Sequence, residues 1–196
     1  MPYRPMKSTG NGTGYLGFQN CQILGFKDRS DEPQLSSWAD LFLEVELKTE
    51  TSQYPSVLVV KGQFEKDTNG NIKDCSLLNK IYYLMDAIQC DAGPNTKGEW
   101  EDANGNPIEE LDTFLNEHYV DMNTVTMPYH VYMYKEKSKS NGKVYTTVCP
   151  KIVKATPKEI KELKDYIKYM MSKGYIPKEL EPVVSSDEDD DGLPDF

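Results

Sequence analysis

Two stretches of this 196-residue chain carry side chains whose types and spacing suit binding chemistry. Between His130 and Lys154, six lysines (135, 137, 139, 143, 151 and 154) stand against one acid, Glu136. Strand alternation puts His130, Tyr132 and Tyr134 on one face, and Lys143, Tyr145 and Thr147 on one face of the strand that follows. Rings interleaved with ammonium groups fit a single-stranded nucleic acid. Bases stack on aromatic side chains for roughly 1–3 kcal/mol each, while the cations track phosphates. Tyr132, Tyr134, Lys135, Lys137, Lys139, Lys143, Tyr145 and Lys151 are therefore the candidate contacts, with Trp38, Phe42 and Lys61 as weaker additions. A plainer explanation stands beside this one. Tyrosine is a favoured strand residue, and lysines at a hairpin tip guard a sheet edge against pairing.

The second stretch is SSDEDDDGLPDF, residues 185–196. Five consecutive acids, Asp187 to Asp191, repel one another and keep the segment extended and solvated. The apolar tip of Leu193, Pro194 and Phe196 can place an aromatic ring and an α-carboxylate in a small basic-rimmed pocket on a partner. Two other readings are open. The segment can be a solubilising acidic terminus. Alternatively, Asp187-x-Asp189-x-Asp191-Gly192 matches the start of an EF-hand-type calcium loop, although no glutamate follows at its twelfth position.

The net charge of -10 ordinarily opposes nucleic acid, but six of the acids (187–191 and 195) sit in this tail. Without them, 26 acids face 22 bases. A hydrophobic fraction of 38% predicts a modest core with long loops, and the length suits one cored domain with appendages. Cys21, Cys75, Cys90 and Cys149 are far apart, with no C-x-x-C pair. With only two histidines, no zinc-type spacing arises, and buried free thiols are expected. No H-E-x-x-H, P-loop or Ser-His-Asp context is present, and the acids 99, 101, 102, 109 and 110 show no metal-site spacing. The chain reads as a non-enzyme that needs no cofactor. The N-terminus lacks an apolar signal segment, and no apolar run reaches membrane length, so a soluble cytoplasmic protein is expected.

The elements that must position these residues follow from periodicity. Residues 1–14 read as a flexible arm. Strands are expected at 15–26, 38–48 and 54–64, the second alternating Leu41, Leu43, Val45 and Leu47 against Phe42, Glu44, Glu46 and Lys48. A helix over 76–89 follows, capped by Ser76 or Asp74. Residues 91–123 read as an acidic, solvated insertion with a short helix within 108–119. Strands at 125–135 and 143–153 flank the Asn141-Gly142 turn. The capping box Thr156-Pro157-Lys158-Glu159 starts a last helix that runs to about residue 173. The order predicts a mainly β domain over 15–155. It is that of a five-stranded OB-fold barrel with its helix between strands three and four. A C-terminal helix (156–176) and a disordered acidic tail (177–196) complete the expected layout.

The acidic tip, with its apolar residue, proline and final phenylalanine, resembles that of bacterial and bacteriophage single-stranded DNA-binding proteins. Asp195 departs from the commonest bacterial ending. With the OB-like order and terminal helix, the chain resembles a bacteriophage single-stranded DNA-binding protein of the T7 type. That resemblance implies sequence-independent binding of single-stranded DNA in replication, recombination and repair. It also implies homodimers and tail contacts to the replicative DNA polymerase and helicase–primase. The tip maps to Asp189, Asp190, Asp191, Leu193, Pro194, Asp195 and Phe196. The acidic tail and DNA are expected to compete for the basic groove, a competition that salt weakens. The rival reading is a phage accessory module that binds proteins and no DNA.

Overall fold

The computed structural model describes residues 16–32, 34, 37–121, 126–138 and 141–177. The N-terminal arm, Lys139 and the tail from 178 onward, with its tip residues 189–196, lie outside the described residues. Alternation decides β2 (Leu41–Thr49), whose Leu41, Leu43, Val45 and Leu47 are all fully buried. It pairs antiparallel with β1 (Gly17–Asp28) on one side and β3 (Ser56–Gly62) on the other. In β1 a bulge at Leu24, between Ile23 and Gly25, shifts the alternation by one residue. Cys21, Ile23 and Phe26 can therefore all face inward.

Chain order continues with α1 (Ser76–Ile88), a two-residue hairpin of β4 (Gly93–Pro94) and β5 (Trp100–Glu101), and α2 (Leu111–Tyr119). Then come β6 (Tyr129–Lys137), β7 (Val144–Val148), β8 (Val153–Lys154) and α3 (Pro157–Ser172). The six-stranded antiparallel sheet runs β3-β2-β1-β6-β7, with β8 also on β6. It is not closed into a barrel, since no ladder among the described residues joins β3 to β7. The two strands nonetheless bring Cα atoms within 8 Å of each other. The expected fifth strand is divided because Pro150 offers no backbone N–H to a ladder.

The main core lies between the sheet and α1. Leu77, Ile81, Leu84, Met85 and Ile88 of α1 meet the β2, β3 and β6 side chains there. Burying each of these aliphatic groups stabilises the fold by roughly 1.5–3 kcal/mol. Neither Ser76 nor Asp74 caps α1: its N-cap is Cys75, which makes no side-chain capping bond. Thr156 does cap α3, its hydroxyl accepting from the Glu159 amide at 3.4 Å with Pro157 at the first helical position.

The stretch 91–123 is more than a solvated excursion. Leu111 and Leu115 of α2 reach the main core, and α2 covers the edge of β1 that β6 leaves open beyond Cys21. There, side chains stand in for a neighbouring strand. The Ile23, Phe26 and Asp28 amides donate to Asp121 (3.0 Å), Asn116 (2.9 Å) and Asp112 (3.1 Å). The Asn116 amide also donates back to the Phe26 carbonyl at 2.8 Å. Backbone groups buried at that edge need such partners, which explains the density of short polar residues here.

Candidate nucleic-acid interface

β6 is buried on both faces. Val131 and Met133 face the main core, while Tyr132 faces a second cluster with Cys149, Val153, Leu163, Ile167 and Ile176. Helix α3 supplies Leu163 and Ile167, and Phe18, Tyr134 and Tyr166 pack around them. Phe18, Tyr132 and Tyr134 form a continuous row of rings with centroids 4.8 and 6.3 Å apart. The expectation that Tyr132 and Tyr134 offer a stacking platform to solvent is corrected for Tyr132, while Tyr134 is half-buried. Tyr132 is only 5% exposed, and burial pushes the Tyr134 hydroxyl up to about 12. The reason is simple: α3 has an apolar stripe to bury, and the aromatic face of β6 is the surface that receives it.

Lys151 is also committed. Its ammonium lies 4.8 Å from the Tyr83 ring centroid and 4.9 Å from that of Tyr166, tying α1 to α3 by two cation–π contacts. The rest of the hairpin stays open. Lys137 and Lys143 are exposed, and Tyr145 is 49% exposed, its hydroxyl accepting from the Asn141 side-chain amide at 2.9 Å. Lys135 is half-buried. The register pairs Lys135 with Thr146 and Lys137 with Val144, whereas Tyr145 sits opposite Glu136. Cross-strand partners share a face, so these two lysines and Tyr145 point to opposite sides of the hairpin.

The weaker additions, Trp38, Phe42 and Lys61, are the ones the fold brings together. The β2–β3 register sets Phe42 directly across from Lys61. Trp38 lies in the turn before β2 rather than within the strand, with its indole 53% exposed. The Lys61 ammonium is 5.0 Å from the Phe42 ring centroid and 5.9 Å from that of Trp38. A fourth residue joins them from α1. The half-buried Lys80 ammonium donates to the Lys61 carbonyl at 3.0 Å. Burial, and then the Lys61 charge, holds it below the ordinary lysine range. Sequence reasoning passed over Lys80, although it is the single charge in SLLNKIYYLM and borders the apolar stripe. Neither Lys61 nor Lys80 forms an ion pair among the described residues.

Phe42 is only 8% exposed, so the surface offers the Trp38 indole to stack a planar ring and two ammonium groups to neutralise an attached anion. Arg29 on the same sheet is not part of it, being held by Glu44 at 2.6 Å and Glu32 at 3.1 Å. A groove lies elsewhere, along the C-terminal end of α1. Asp86 and Asp91 line it, which makes it a poor seat for a polyanion. Among the described residues no group of histidine, cysteine or acids has the arrangement to hold a metal ion. No helix there is long and apolar enough to cross a membrane. Comparison with protein-family models, curated proteins and solved structures returned no match.

Proposed function

We propose that this chain binds single-stranded DNA without sequence preference, using the exposed Trp38 and Lys61, which the buried Phe42 ring supports, and the loop between β6 and β7. The observation that carries the reading is the exposed Trp38 indole beside the Lys61 ammonium on the outer side of β2 and β3. The strand order supports it. Taking β1, β2, β3, β6 and β7 as strands one to five, the order β3-β2-β1-β6-β7 is that of an OB-fold barrel opened between strands three and five. α1 occupies the plug position between strands three and four. In such barrels the strand 2–3 face and the loops 1–2 and 4–5 hold oligonucleotides. Trp38 belongs to the first of those loops, and Asn141 and Lys143 to the second. The tail resemblance extends the proposal to phage replication, recombination and repair in the cytoplasm. The acidic segment competes with DNA for the basic surface, and its tip recruits the polymerase and helicase–primase. The role is binding rather than catalysis.

One observation favours a protein partner instead: Glu44 and Glu46 share the outer face of β2 with Phe42. Titration of fluorescent oligo-dT with full-length protein, a version ending at Val184 and Trp38→Ala separates the two. DNA binding predicts salt-weakened affinity for the first two, tighter in the truncated one. It also predicts a loss of roughly 1–3 kcal/mol for Trp38→Ala. If no version binds at any salt concentration, the DNA reading is wrong and a protein-interaction module remains.

A further inference from the structure

Resting on that reading, we infer that Lys80 and Lys61 form a two-ammonium clamp for a backbone phosphate of the nucleotide that stacks on Trp38. Lys80 reaches the site from α1, across the end of β3, and is held there by the Lys61 carbonyl at 3.0 Å. A lysine ammonium has three N–H donors, so two remain for an incoming anion. Lys61 is likewise without an ion-pair partner among the described residues and lies over the rings of Phe42 and Trp38. The Lys61 charge disfavours the Lys80 ammonium, and a phosphate that reaches both removes that repulsion while gaining charge-assisted hydrogen bonds from each. The Lys80 stem is already half-buried against the fold, so little side-chain freedom is lost when the anion binds. A ligand that unites a flat ring with a phosphate answers both halves of the site. A purely apolar partner answers only the ring, and a cationic one is repelled by the ammonium groups.

The test uses full-length protein with Lys80→Gln, Lys80→Arg and Trp38→Ala. Gln removes the charge and keeps an N–H donor one bond shorter than lysine, and unchanged urea unfolding of Lys80→Gln checks that the fold is retained. Dissociation constants are measured for oligo-dT and for an abasic deoxyribose-phosphate strand at two salt concentrations. One lost single-strand phosphate contact reduces the salt slope by about 0.7, equivalent to a weakening of about fivefold at 0.1 M salt and about twofold at 0.4 M. Lys80→Gln is expected to show that pattern on both strands, and Lys80→Arg to restore wild-type behaviour. Trp38→Ala is expected to weaken oligo-dT and leave the abasic strand unaffected. If Lys80→Gln matches wild type at both salt concentrations while wild type binds oligo-dT, the clamp is refuted and the binding reading stands. If wild type does not bind oligo-dT at all, the binding reading itself is refuted, and the clamp with it.

Discussion

Replacing Asn116 by alanine tests whether α2 is part of the fold or an ornament on it. The Asn116 side chain makes both hydrogen bonds that a neighbouring strand would offer Phe26, accepting from its amide at 2.9 Å and donating to its carbonyl at 2.8 Å. A neutral bond of this kind contributes about 1 kcal/mol net, and a buried group left without a partner costs about 1–3 kcal/mol. Asn116 is itself exposed, so water can reach part of the vacated edge. The lower figure therefore applies to each bond, and the expected loss is about 2 kcal/mol. Urea unfolding of wild type and Asn116→Ala, with Glu117→Ala as an exposed control on the same helix, measures it. Hydrogen exchange at the Phe26 amide supplies the local readout and is expected to speed up in Asn116→Ala alone. A change below about 0.5 kcal/mol, the range of an ordinary surface substitution, together with unaltered Phe26 exchange would refute the argument. Residues 91–123 would then be a solvated excursion after all.

Three further outcomes are expected. His130 is buried, its Nδ1 is 2.7 Å from the Asn20 side-chain oxygen, and its Nε2 has no hydrogen-bond partner among the described residues. Burial and then the Lys164 charge lower its pKa, with Glu50 opposing. Because the unfolded chain takes up this proton first, stability is full above the ordinary histidine value near 6.5 and falls as pH drops below it. His130→Asn should flatten the unfolding free energy between pH 7.5 and 5.5, and an unchanged slope would exclude His130 as the cause. Leu163 is fully buried in the α3 cluster, so Leu163→Ala should cost about 2–5 kcal/mol and expose α3 to limited proteolysis. A loss under about 1 kcal/mol, well below the usual cost of such a cavity, would mean that the helix is not anchored there. All four cysteines are buried free thiols, and burial raises Cys149 to about 11 and Cys21 still further. Ellman's reagent should therefore react with the unfolded chain and hardly with the native one, and rapid native labelling would contradict the packing.

Much was legible in the chain alone. The alternation of β2 and the capping box of α3 are local signals, written in residues a few positions apart. Local backbone energetics dictate such features, and they survived folding nearly unchanged. The site was legible only in part. Alternation showed that β6 carries an aromatic face, but periodicity cannot say whether water or a helix that begins 20 residues after β6 ends will cover it. α3 covers it because two apolar surfaces leave water together, which removes Tyr132 from the surface and leaves Tyr134 half-buried. Phe42 and Lys61 became neighbours through a strand register, and Lys80 joined them from a helix 19 residues downstream. Likewise, Asn116 and Asp121 reached β1 from about 90 positions away in sequence, closing an edge that no motif announces. Residue spacing determined the elements. Their packing, governed by which surfaces could be buried together, decided which cations and rings remained free to meet a ligand.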